Sequence, residues 1–248
     1  MKVFVDQTAQ EMGAHAAKVA AQEIRSAIEA RGVCRLLLST GASQFEVLGA
    51  LVEEKLPWDK VIMFHLDEYI GMPVTHPASF RKYLNERFVQ KVHPMAAHYV
   101  NGEGDVDRNL AELTAILREA PIDVALIGIG ENGHIAFNDP PADFDTQEAY
   151  IRVNLDERCR RQQMGEGWFA TLEDVPRQAI SMTVSQMMSS RVVLSIVPGL
   201  RKAKAVKKTL EAPETTPLVP ATKLREHPAW TLFLDANSAS AVDPGKLV

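Results

Sequence analysis

Short apolar runs separated by stretches of helix length constrain this chain more than any other feature. Arg35–Ser39 (RLLLS), Val61–Leu66 (VIMFHL), 124–129 (VALIGI), Val192–Val197 (VVLSIV) and Thr231–Leu234 (TLFL) are too short for helices. They are also too continuously apolar for strands with one wet face, so they read as strands buried on both faces, the mark of a parallel sheet. Shorter strands are expected at Lys2–Val5, His98–Val100, Tyr150–Val153 and Ile180–Thr183. Thr8-Ala-Gln-Glu11 has the spacing of a capping box and opens an alanine-rich helix that runs to about Arg31, where Gly32 stops it. Further helices are expected from the turn at 40–43 through about Glu54, and over Phe80–Val89, Asp105–Glu119, 155–163 and Leu200–Leu210. Asp67-Glu-Tyr is expected to begin a loop. Strand and helix alternate throughout, which requires right-handed crossovers. The expected fold is α/β: a Rossmann-like open, mostly parallel sheet with helices on both faces. There is no internal repeat or low-complexity run, and the Pro-rich stretch 212–220 is followed by another strand, so one domain over residues 1–248 is expected.

Composition removes several classes of function. A net charge of −5 argues against a general nucleic-acid binder, so any anion must meet a local site rather than a global field. The two cysteines, Cys34 and Cys159, make neither a disulfide framework nor a zinc-ligand spacing, and no metal is expected. The first ten residues turn polar too early for a signal peptide, and no apolar run approaches 18 residues. A cytoplasmic protein without membrane contact is expected.

In parallel sheets ligands bind beyond the carboxyl ends of the strands, and four polar clusters fall at such ends. The loop Glu131-Asn-Gly-His134-Ile-Ala-Phe-Asn138-Asp139, stopped by Pro140 and Pro141, carries a histidine and a carboxylate five residues apart. An imidazole titrates near neutrality, and a carboxylate on its second nitrogen sets its tautomer and raises its basicity. Ser39-Thr40-Gly41-Ala42-Ser43 joins a strand to a helix start and suits a phosphate through backbone N–H groups and hydroxyls; it serves equally as a tight turn. Asp67 and Glu68 are adjacent carboxylates that must point different ways, so at most one faces a ligand and Glu68 could equally hold a neighbouring loop. Lys202 stands in a first helical turn, where a cation opposes the helix dipole. It either answers an anion or belongs to the solvated run Arg201–Lys208. Together the clusters suggest proton transfer on a small phosphorylated substrate.

Over nearly its whole length the chain resembles the glucosamine-6-phosphate deaminase (isomerase) family. The resemblance is carried by Thr40-Gly-Ala-Ser43, Leu66-Asp-Glu-Tyr-Ile-Gly-Met-Pro73 with His76-Pro77 and Ser79, Gly128 to Pro140, and Gly199–Ala203. The related 6-phosphogluconolactonases typically continue Thr-Ala-Ser-Leu-Phe after the histidine, where this chain has Ile135-Ala-Phe-Asn138. The resemblance implies conversion of glucosamine 6-phosphate, or a close epimer, and water to a ketose 6-phosphate and ammonia, without metal or organic cofactor. It implies Asp67 as the base acting between carbon-2 and carbon-1, and His134 as the group that protonates the ring oxygen. Asp139 would orient the histidine, and Asn132 belongs with these three in the catalytic set. Ser39, Thr40, Gly41, Ala42, Ser43, Glu68, Gly133 and Lys202 would hold the substrate. Members range from monomers to hexamers, so a homo-oligomer fits the resemblance as well as a monomer does. Lactone hydrolysis and a non-catalytic sugar-phosphate-binding module are the alternatives. Two residues depart from the family's pattern. Asp139 replaces a glutamate and reaches about 1.5 Å less far. Gln163 falls near the place of a phosphate-binding arginine, so either the substrate differs or Arg158, Arg160 or Arg161 supplies that charge.

Overall fold

The computed structural model describes residues 1–165 and 167–247. In chain order its elements are β1 (Lys2–Asp6), α1 (Ala9–Arg31), β2 (Cys34–Leu38), α2 (Phe45–Leu51), β3 (Val61–His65), β4 (Asp67–Tyr69), α3 (Phe80–Leu84), α4 (Gln90–Val92) and β5 (Ala96–His98). There follow α5 (Val106–Leu117), β6 (Val124–Ile127), β7 (Tyr150–Asn154), α6 (Glu157–Gly165), β8 (Gln178–Met182), α7 (Val184–Met188), β9 (Val192–Val197), α8 (Ala203–Glu211), β10 (Trp230–Asp235) and α9 (Ala236–Ala239). Seven strands form one sheet in the order β1-β10-β9-β6-β2-β3-β5, and every pairing in it is parallel.

The apolar runs do what a doubly covered sheet demands. Leu37 of β2, Ala125 and Ile127 of β6, and Val193 and Val197 of β9 pack into the core on one face. Their neighbours Leu36, Leu38, Val124, Leu126, Leu194 and Ile196 pack into the core on the other, beneath α1 and α2. The capping box at Thr8 and Glu11 forms as the sequence requires, and Gly32 ends α1 at φ 81°. Gly13 allows α1 to lie against α2, since a Cβ there would stand 2.4 Å from that of Glu46. No described helix is long and apolar enough to cross a membrane.

Two expectations need correction. Asp67–Tyr69 is a strand, not the start of a loop. β8, expected in the parallel sheet, leaves it and joins β4 and β7 in a second, antiparallel sheet of order β4-β8-β7. Burial along β7 alternates with the pleat, as it does in a small sheet with one wet face. The helix expected over Phe80–Val89 forms and runs on to Val92, with a π-helical turn at Asn85–Val89 between α3 and α4.

Candidate active site

Chain order reverses between β2 and β6: β3 and β5 lie on one side of β2, and β6, β9, β10 and β1 on the other. Such a switch point leaves a crevice at the carboxyl ends of the strands. A cavity of about 430 Å3 opens there, within the size range of small-molecule sites. Its wall is built from the segments leaving β2 (Ser39 to Ser43), β3 (Leu66, Asp67), β6 (Gly128 to Glu131, and His134) and β9 (Pro198 to Lys202).

The segment after β2 turns at Gly41, whose φ of 94° suits glycine. Tyr83 anchors the turn by donating its hydroxyl to the Gly41 carbonyl at 3.1 Å. The buried Ser39 hydroxyl has no hydrogen-bond partner among the described residues, so this polar strip retains hydrogen-bonding capacity. Facing it, the turn at 199–202 is held from behind. The Gly199 N–H donates to both carboxylate oxygens of buried Asp235, at 3.0 and 3.1 Å.

Asp67 and Glu68 point opposite ways, as neighbours in a strand must. Asp67 lines the cavity and is 6 % exposed. Glu68, expected among the substrate contacts, does not line it. Its side chain is completely buried and accepts from the Tyr69, Phe80 and Arg81 N–H groups, the Ser79 hydroxyl and the Arg81 guanidinium. Burial pushes its pKa up, against the lowering effect of those bonds. Glu68 therefore fixes the start of α3 beneath the site.

In the loop after β6, His134 directs Nδ1 to within 3.2 Å of Asp139 Oδ1. Asn132 holds that same oxygen at 2.9 Å through Nδ2, while its Oδ1 accepts the His134 N–H at 3.0 Å. Burial raises the Asp139 pKa, but the close approach and charge of the His134 ring, with Asn132 and Cys159, bring it down to about 2. The aspartate thus reaches the histidine despite being a methylene shorter than glutamate. Gly130 gives the imidazole its place, since a Cβ there would stand 2.2 Å from ring atoms. Asn132 and Gly133 are not on the cavity wall. Gly133, at φ 89°, makes the turn and passes its carbonyl to the Ala221 N–H.

The arginines of α6 are not brought to the cavity. Helical phase decides this: Cys159 and Gln163, four apart, are the buried residues of α6. Arg158 is exposed and off the wall; Arg161 pairs outward with Glu157. Arg160 donates to the Leu172 and Val175 carbonyls. Gln162 and Gln163 line the cavity instead, with Gln163 Oε1 accepting the Tyr69 hydroxyl at 2.7 Å. Arg201, expected only within a solvated run, also lines the wall beside Lys202. No group of three or more His, Cys, Asp or Glu side chains that could hold a metal occurs among the described residues. No disulfide joins Cys34 and Cys159, which are both buried.

Comparison with known proteins places this geometry. Residues 7–232 match the family model described as glucosamine-6-phosphate isomerases/6-phosphogluconolactonase. A glucosamine-6-phosphate deaminase of Oenococcus oeni is 37 % identical over 205 residues, 82 % of this chain and 84 % of that protein. One from Lactobacillus delbrueckii subsp. bulgaricus is 31 % identical over 243 residues, 97 % of this chain and 99 % of that protein. Among solved structures, a monomeric glucosamine-6-phosphate deaminase superposes with a TM-score of 0.89 at 29 % identity, covering 97 % of this chain and 100 % of the other. A 6-phosphogluconolactonase of Thermotoga maritima shares the fold, with a TM-score of 0.78 at 18 % identity over 94 % of this chain and 99 % of that one.

Proposed function

The chain belongs to the family of glucosamine-6-phosphate isomerases and 6-phosphogluconolactonases, and from that premise we propose that it is an amino-sugar-phosphate deaminase. Its substrate is glucosamine 6-phosphate or a close epimer, and its products are a ketose 6-phosphate and ammonia. Relatives of 31 to 37 % identity carry the deaminase name, whereas the likeness to the lactonase is one of fold. The observation that carries the reading is the convergence on one cavity of a buried carboxylate, a carboxylate-backed histidine and a polar strip facing a lysine.

The phosphate occupies the strip from Ser39 to Ser43 opposite Lys202 and fixes the sugar's reacting end without taking part in bond changes, so its binding energy is available for positioning. His134 sets Nδ1 3.2 Å from an Asp139 carboxylate oxygen. Its other ring nitrogen protonates the ring oxygen as the pyranose opens, and Asp139 stabilises the charge the ring carries. Asp67 removes the proton from carbon-2 of the open-chain aldehyde and returns it to carbon-1 through an enediol-type intermediate. The 2-amino group thereby becomes an iminium, water adds, and ammonia leaves, so the net change is hydrolysis of a carbon–nitrogen bond. Asn132 acts through Asp139 and His134, so it positions them rather than touching substrate.

The test is ammonia release from a panel of 6-phosphorylated amino sugars, gluco and galacto, by wild type and Asp67→Asn. Wild type is expected to turn over at least one. The variant is expected to lose turnover by about 10³-fold or more while still binding the phosphorylated sugar. Undiminished ammonia release in Asp67→Asn would refute the base assignment, and no release by wild type from any member would refute the function.

A further inference from the structure

We propose that Arg201, together with Lys202, supplies the positive charge that holds the substrate's phosphate, and that Glu131 is its counter-ion before the substrate arrives. The inference rests on the sugar-phosphate reading of the cavity. A phosphate ester carries nearly two negative charges near neutral pH, and in a protein of net charge −5 they must be answered locally. The α6 wall contributes only the amides of Gln162 and Gln163, while the three arginines of that helix are exposed, paired outward or bound to carbonyls. Among the described residues, the lysine and arginine side chains on the cavity wall are Arg201 and Lys202 alone.

Arg201 occupies the turn at Leu200–Lys202, anchored by Asp235 at Gly199, so its backbone is fixed relative to the strip at 39–43. Its guanidinium is not committed to a strong partner. Glu131 on the same wall approaches it to 3.9 Å, with the two side chains 74 % and 40 % exposed. A pair this open and this long contributes little. A phosphate offers the same arginine a bidentate, charge-assisted contact in a less solvated place, so exchanging Glu131 for the dianion is favourable. The arginine that the sequence comparison expects on α6 has thus been replaced in charge, though not in position, by one from the loop after β9.

Calorimetric binding of 2-amino-2-deoxyglucitol 6-phosphate, an open-chain analogue that cannot turn over, tests the assignment, with ammonia release measured in parallel. Arg201→Gln is expected to raise Kd and KM by about 10- to 100-fold with kcat within about threefold, because the contact is the same in ground and transition states. Arg201→Lys is expected to recover part of the loss, and Glu131→Gln to tighten binding by about two- to threefold only while Arg201 is present. Arg161→Gln is expected to bind like wild type. Binding by Arg201→Gln within twofold of wild type would overturn the proposal, as would failure of wild type to bind the analogue. A wild type that binds in an Arg201-dependent way but releases no ammonia would leave this proposal standing and remove the deaminase reading.

Discussion

Replacing Asp139 by asparagine isolates what the shortened carboxylate does for His134. The substitution keeps the shape of the side chain and an oxygen able to accept from Asn132, but removes the charge 3.2 Å from the imidazole. At an effective dielectric constant of about 20, that separation corresponds to about 5 kcal/mol between full charges. The Asp139 side chain is 26 % exposed and that of His134 12 %, so water reduces the figure, by roughly half. The aspartate responds in the same sense: against burial that raises it, its pKa is drawn from 3.8 down to about 2 by His134, Asn132 and Cys159. The screened attraction of about 2 to 3 kcal/mol, lost in the transition state for ring opening, corresponds to a fall in kcat of about 30- to 150-fold in Asp139→Asn. Steady-state ammonia release at pH 7 to 8 reads kcat, and KM is expected to change little because the phosphate contacts are untouched. A kcat within threefold of wild type would refute the reasoning, since the carboxylate would then be a fixture of the loop and not a partner in ring opening. The same pKa carries a stability consequence of defined sign. A carboxylate whose folded pKa is depressed stabilises the fold above its unfolded value near 4, and that contribution is lost as pH falls toward about 2. Asp139→Asn should therefore lower the melting temperature at pH 7 by a few degrees and by less at pH 3.

Two further substitutions separate machinery from support. Ser181→Ala removes the acceptor for the Phe137 N–H and Asn138 Nδ2 at a fully buried position; it should cost about 1 to 3 kcal/mol in denaturant unfolding and lower kcat more than it raises KM. Ser181→Thr, which keeps the hydroxyl, should recover most of the kcat, and equal kcat in the alanine variant and wild type would show that the tie is not needed for turnover. Glu68→Gln places an amide against a ring of donors in a site without solvent. About 3 kcal/mol of stability should be lost, seen as a fall of about 6 to 12 °C in Tm, whereas a contact between Glu68 and substrate would instead appear as a raised KM with unchanged Tm.

The architecture was legible because runs such as VALI and VVLSIV admit few placements other than strands buried on both faces, and the capping box at Thr8 marks α1 without tertiary help. The second sheet was not. β4 is three residues long and carries two carboxylates, too short and too polar to show a period. Its strand character comes from pairing with β8, a partner more than a hundred residues away. The phase of α6 was hidden for a related reason. CRRQQ offers no apolar stripe, so nothing local said which arginines faced inward. The one usable signal was Cys159, a residue type usually buried, which four residues on places Gln163 inward and turns the arginines out. Arg201 escaped notice because a basic run at a helix start is ordinarily solvent-facing, and only the course of the loop after β9 brings it to the wall.

The small sheet also explains how Asp67, on β4, and His134, in the loop after β6, keep their spacing. Asp67 and Ser181 are directly opposed in the β4–β8 ladder. The Ser181 hydroxyl accepts the Phe137 N–H at 3.0 Å and Asn138 Nδ2 at 3.1 Å, and Asn138 donates again to the Ile135 and Met182 carbonyls. Those bonds close the turn 135–138, in which Ala136 takes a φ of 52°, a conformation costly for a side chain bearing a Cβ and kept only where the surroundings determine it. The turn lies between His134 and Asp139, so its closure sets the reach of the aspartate to the ring. The carboxylate at position 67 and the imidazole at 134 are thus referred to one buried hydroxyl rather than to two independent loops. Both sides of that hydroxyl are buried, so water cannot substitute for it, and an error in either loop would propagate to the other. A parallel sheet alone leaves each strand end to its own loop; three antiparallel strands laid across those ends bind the loops to one another.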